Sequence, residues 1–117
     1  MAVDSGTIYD GTLTVYDAGT RTSAGFFTSI DATANNWAFQ VTVTGLTSGN
    51  IDFDFDGSLD GTNWGHIVVS TKNNTGQTVN TNGTTIFYVN GTPCRYVRVH
   101  VVSMPAGPTI SCLVGAI

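Results

Sequence analysis

The chain predicts an all-β fold: an antiparallel β-sandwich, jelly-roll-like, of eight or nine strands. Three observations carry the expectation. Thr, Val, Phe and Tyr, which fit a pleated half-buried surface, are plentiful, whereas Leu, Lys and Gln are scarce and Glu is absent. Several short segments alternate apolar and polar residues with a period of two. Gly and Asn recur between those segments, where turns need positive φ.

Residues 12–17 (TLTVYD) and 21–28 (RTSAGFFT) are the first strand candidates. Residues 37–44 (WAFQVTVT) alternate strictly, which sets Trp37, Phe39, Val41 and Val43 on a buried face and Ala38, Gln40, Thr42 and Thr44 on a wet one. Residues 51–56 (IDFDFD) repeat the pattern with Ile51, Phe53 and Phe55 inward. A tight loop at 57–63 leads to a strand at 64–71 (WGHIVVST), and 72–76 turn again. Segments 77–80 and 84–89 flank Asn82-Gly83, a hairpin signal. Residues 94–103 (CRYVRVHVVS) place Val97, Val99 and Val101 inward and Tyr96, Arg98 and His100 outward. A Pro- and Gly-containing break at 104–108 precedes the last strand, 109–116. No linker divides the chain, so residues 1–117 read as one domain. Residues 1–10, poor in apolar side chains, read as a flexible or interacting arm.

Composition narrows the functional classes. Only 10% of residues are charged, and the net charge is −4. Four scattered cations, Arg21, Lys72, Arg95 and Arg98, make no basic footprint for nucleic acid. No apolar run approaches the ~20 residues of a membrane-spanning helix, and the first fifteen residues lack the basic and apolar regions of a signal peptide. Cys94 and Cys112 have no metal-ligand spacing. If the last two strands form a hairpin about 103–108, Cys112 lies opposite roughly Val99, so two buried free thiols are expected rather than a bridge.

The most specific motif is GSLDGTNW at 57–64. In it Asp60 accepts hydrogen bonds from nearby amides, Gly61 supplies a conformation closed to bulky residues, and Trp64 begins the return strand. It is similar to the Asp-box hairpin of sialidases, S-x-D-x-G-x-T-W, but lacks the residue between Asp and Gly. That box is itself structural, so the similarity implies a hairpin and no glycosidase. A closer match is to structural modules of tailed bacteriophages, which carry a strand ending in G-S-x-D-G-x-N-W and, later, a segment like Y-V-R-V before a final β-hairpin. Here those parts are 57–64 with Gly57, Ser58, Asp60, Gly61, Asn63 and Trp64, then YVRV at 96–99, then 109–116. The resemblance covers residues 50–117. It implies a β-sandwich on the outer capsid surface or in the tail of a virion, with the major capsid protein or other virion proteins as partners. By the same analogy the chain is a homotrimer. The leading expectation is a capsid decoration or cement protein. The alternatives are a receptor- or glycan-binding module of a tail or fibre, and a tail-tube or adaptor component.

No catalytic centre is expected. The sequence holds no H-E-x-x-H and no G-x-S-x-G, and without Glu a carboxylate pair would need two of the eight aspartates to meet across a cleft. Asp52, Asp54, Asp56, Gly57 and Asp60 match positions of a calcium loop, but Asn63 falls where a bidentate carboxylate belongs. An extended strand spaces alternate carboxylates about 6.5–7 Å apart, so neither a metal nor a cofactor is expected. The N-x-T sequons at Asn73, Asn82 and Asn90 read as turns. Of the aromatics Tyr9, Tyr16, Trp37, Trp64, Tyr88 and Tyr96, most are core. Tyr88, Tyr96, Arg98 and His100 are the candidate binding face.

Overall fold

The computed structural model describes residues 13–71 and 77–117. Residues 1–10, read as an arm, Tyr9 and the Asn73 sequon lie outside the described residues. Eleven strands are formed among those described: β1 (Thr14–Arg21), β2 (Gly25–Phe26), β3 (Ile30–Ala34), β4 (Trp37–Thr44), β5 (Ile51–Ser58), β6 (Gly65–His66), β7 (Ser70–Thr71), β8 (Thr78–Val79), β9 (Gly83–Val89), β10 (Cys94–Ser103) and β11 (Thr109–Ala116). They pair antiparallel in two sheets. The first runs β1-β11-β4-β9-β7; the second runs β2-β10-β5-β6, with β3 also on β10 and β8 also on β5. From β3 onward the chain changes sheet at every connection except β5–β6. This is the jelly-roll layout, two facing antiparallel sheets.

The alternation read from the sequence builds the core. Trp37, Phe39, Val41 and Val43 on β4, Ile51, Phe53 and Phe55 on β5, and Val97, Val99 and Val101 on β10 are all buried. Phe39 and Phe87 from the first sheet meet Phe53 and Phe55 from the second. Ring centroids lie 4.8 Å apart for Phe39–Phe55 and 4.9 Å for Phe55–Phe87. Tilted rings at this separation favour edge-to-face contact and lock the sheets together.

Four connections differ from the sequence reading. The two early segments become an eight-residue β1 with a register shift between Asp17 and Gly19, a two-residue β2, and an unforeseen β3. Residues 64–71 are not one strand: β6 pairs β5 in the second sheet, whereas β7 pairs β9 in the first. Side-chain alternation survives this passage, with Ile67 and Val69 buried and Val68 exposed, so periodicity alone could not reveal it. Asn82-Gly83 is likewise not a hairpin turn, because β8 joins β5 and β9 joins β4. Instead the Asn82 side chain imitates a strand. Its Oδ1 accepts the Leu46 N–H at 2.8 Å and its Nδ2 donates to the Leu46 carbonyl at 2.9 Å. Finally, β10 and β11 lie in opposite sheets, so 103–108 is a crossover and Cys112 faces Val41 and Gly19 rather than Val99.

Candidate functional site

The 57–64 motif is a fastener at the edge of the second sheet. Ser58 is buried, and its hydroxyl donates to the Asn63 carbonyl at 2.6 Å while accepting the Gly61 N–H at 2.9 Å. Asp60 Oδ1 accepts the N–H groups of Thr62 and Asn63, both at 2.8 Å, and Oδ2 accepts the Asn63 side-chain amide at 2.9 Å. These donors stabilise the carboxylate. The Asn63 N–H, then its side chain, then the Thr62 N–H hold Asp60 well below the usual carboxylate range. Gly61 sits at φ +77°, and a Cβ there would come 3.2 Å from the Tyr96 ring. Gly57 leaves room for Ile67, whose Cδ1 would stand 2.9 Å from a Cβ.

The fastener sets Trp64 above the outer face of the second sheet, where four flat groups stack. The Arg98 guanidinium carbon lies 4.2 Å from the Trp64 ring centroid and 4.1 Å from that of Phe26. Phe26 in turn stacks on His100 at 4.1 Å and 16° between planes. Beneath the stack is Asp56, a carboxylate with 9% side-chain exposure. Its Oδ2 accepts from Arg98 Nε at 3.0 Å, and its Oδ1 is 3.1 Å from His66 Nδ1. Strand register explains the gathering: His100 pairs with Phe26 across β10–β2, Arg98 with Asp56 across β10–β5, and Asp56 with His66 across β5–β6.

Of the candidate binding face, Tyr96, Arg98 and His100 share this outer surface. Tyr88 does not. It lies on β9, on the outer face of the first sheet, so the four residues form no single surface. Sequence reasoning also missed Phe26 and Asp56 as partners of Arg98, and His66 as a partner of Asp56, because pairing register rather than local pattern unites them.

Three of the calcium-loop aspartates are engaged elsewhere. Asp52 accepts from Thr78 at 2.8 Å and Ser103 at 3.0 Å, Asp56 holds Arg98 and His66, and Asp60 holds its turn. Among the described residues no group of three or more potential ligands converges as a metal site. Cys94 and Cys112 are buried free thiols, and burial pushes the Cys112 thiol up to about 12. Asn82 is spent on Leu46. His66 and Asp56 make a histidine–carboxylate pair, but no described hydroxyl or thiol hydrogen-bonds to that histidine. A groove of about 410 Å³ opens beside the fastener, lined among others by Leu59, His66, Ile67, Pro93 and Cys94.

The outer face of the first sheet has a different character. Register lays Val15, Gly115, Ala38 and Tyr88 in one row across β1, β11, β4 and β9, and Asp17, Leu113, Gln40 and Ile86 in the next. Val15, Leu113, Ile86 and Tyr88 are exposed, as is Leu13 beside Gly115. A third row is hydroxyl-bearing: Thr20, Ser111, Thr42 and Thr84, with the last two hydroxyls 3.0 Å apart. Asp17 is the one charged side chain in these three rows.

No protein-family model and no curated protein sequence matches the chain. Solved structures do resemble it. The SPBc2 prophage-derived protein YomS aligns at TM-score 0.62 and 14% identity, over 89% of this chain and 93% of that one. CpGH89CBM32-6 from Clostridium perfringens aligns at TM-score 0.49 and 18% identity, over 84% of this chain and 74% of that one. AlgX from Pseudomonas aeruginosa aligns at TM-score 0.48 and 10% identity, over 91% of this chain and 27% of that one. The likeness to YomS is one of fold: an all-β sandwich also found in a prophage-derived protein.

Proposed function

We propose that the chain is a non-enzymatic structural protein of a tailed-phage particle, acting as a capsid decoration or cement protein. The observation that carries this reading is the outer face of the first sheet. Leu13 and Val15 at β1, Leu113 on β11, and Ile86 and Tyr88 on β9 expose apolar side chains on one face, with Ala38 and Gln40 of β4 between them and one charge, Asp17, in these rows. Exposed apolar surface of this kind marks contact with another protein. The phage-type motifs and the prophage origin of YomS support the same reading.

In this role the band docks on the major capsid protein and removes apolar area from water. Each contact is weak, and many copies, assembled as symmetric homo-oligomers on a symmetric shell, sum through multivalency. Trimers suit such a shell, by analogy with the phage modules. The jelly roll itself is a rigid spacer whose inner faces are consumed by its core, which leaves both outer faces for contacts.

Copy number tests the proposal. Quantitative gels of purified particles are expected to show the chain in hundreds of copies per head. A count in the tens would overturn the decoration reading in favour of a tail or fibre component.

A further inference from the structure

We propose that the outer face of the second sheet carries a binding site for a neutral saccharide, centred on Arg98 and Trp64. The inference goes beyond the docking role, which uses the opposite face.

The starting observation is an arginine with spare donors. Arg98 offers five N–H groups, of which only Nε is taken by a described residue, Asp56. Its side chain is 26% exposed and held rigid between two aromatic rings. Both terminal nitrogens therefore stand preorganised, without an acceptor among the described residues. A guanidinium fixed in this way recognises paired oxygens at little entropic cost.

An acceptor stands beside it. Asp54 projects from the same outer face, pairs in register with His100, and is a diagonal neighbour of Arg98 across β10 and β5. Its carboxylate accepts no hydrogen bond from a described side chain. Trp64 adds an apolar face: Arg98 covers one side of its ring, and no described ring or cation stacks on the other. His66, 76% exposed, adds a further polar group at the rim of the groove.

Planar donors, a carboxylate acceptor and an indole face form the pattern that vicinal hydroxyls and a C–H-rich ring satisfy together. Charge selects among oxygen-rich ligands. One arginine stands against the two carboxylates Asp54 and Asp56, so the charges of these three side chains do not sum to a positive field. A phosphate or carboxylate would meet repulsion there, whereas neutral hydroxyls, which both donate and accept, would not.

The test follows Trp64 fluorescence, since the other tryptophan, Trp37, is buried. Purified protein is titrated separately with glucose, galactose, mannose and N-acetylglucosamine, and with sialic acid and inorganic phosphate as anionic comparators. The expected result is a saturable change with at least one neutral sugar and weaker or no response to the anions. Arg98→Lys keeps a charge for Asp56 but loses the fork, and Asp54→Ala removes the free acceptor from a half-buried position on the outer face. Each is expected to weaken binding by about tenfold or more, the loss of one charge-assisted hydrogen-bonded contact. Ile86→Ser, on the other sheet, leaves binding unchanged. Calorimetry is the second readout. The proposal is overturned if none of the four sugars responds in fluorescence or calorimetry, if phosphate or sialic acid binds more tightly, or if folded Asp54→Ala binds as the parent does.

Discussion

Arg98 and Asp56 form an ion pair across β10 and β5, Nε to Oδ2 at 3.0 Å, and the pair is roofed by Phe26 and Trp64. Roofing makes the pair costly to break. Asp56→Asn leaves a guanidinium that is three-quarters covered without its counter-charge, and a group stranded in this way costs about 1–3 kcal/mol. Urea unfolding of Asp56→Asn is expected to show a lower midpoint with an unchanged slope. A shift within about 0.5 kcal/mol, the range of an ordinary surface change, would show that the ion pair does not fasten the sheet.

The fastener should make stability depend on acid. Asp60 accepts three hydrogen bonds from Thr62 and Asn63, which hold its carboxyl below the ordinary value of 3.8. A depressed folded-state pKa contributes stability that is present above the unfolded value and is lost as pH falls through the folded one. The melting temperature is therefore expected to fall on acidification below about pH 4. Asp60→Asn should start lower at neutral pH and lose less over the same window. Parallel pH–melting curves for the two proteins would remove Asp60 as a source of acid sensitivity.

Gly61 is the position in the same turn where a side chain is least tolerable. Its φ of +77° is left-handed, and Tyr96 closes the space a Cβ would need. Gly61→Ala should cost about 1–2 kcal/mol from backbone handedness alone, and displacement of the Tyr96 ring adds to it. Gly65→Ala is the control, since nothing lies within 4 Å of its Cβ position. Chemical denaturation of both variants should separate them, and equal losses would mean that the turn is not specified by Gly61.

What was legible in the sequence and what was not divides at the level of pairing. Faces could be read: Phe53 inward and Asp54 outward follows from a period of two, whichever strand lies alongside. Partners could not. Val68 and Val69 alternate correctly whether residues 64–71 form one strand or leave one sheet for the other, and Asn82-Gly83 looks like a hairpin until its side chain is seen gripping Leu46 36 residues away. The same holds for the site. Arg98 and His100 were visible as outward-facing, but Phe26 lies next to His100 only because a two-residue strand pairs there. Tyr88 reads with them in the sequence because its exposure is legible there while its sheet is not.

Both thiols should be inert in the native state. Burial leads the causes that raise Cys94 and Cys112, the latter to about 12, so neither carries appreciable thiolate near neutral pH. A chromogenic disulfide reagent at pH 8 is expected to label neither thiol in the folded protein and both in denaturant. Rapid labelling of native protein at one site would show local opening at the edge of the core.

The docking face gives the sharpest separation of function from stability. Ile86 and Leu113 are exposed in the same row, on strands that are otherwise fully paired, so their side chains contribute little to the fold. The double change Ile86→Asp and Leu113→Ser should leave unfolding within about 0.5 kcal/mol per site. Particle binding should suffer far more, because the new carboxylate would be desolvated in every contact and the penalty recurs in each copy of a multivalent array. Incorporation into heads, measured by co-sedimentation of tagged protein with particles, is expected to fall by about tenfold or more, since even one contact weakened by ~1.4 kcal/mol does that. Arg98→Lys, on the opposite face, should co-sediment as the parent does. If the two variants behave the other way round, the second sheet rather than the first faces the capsid, and the apolar band of the first is free for a different partner.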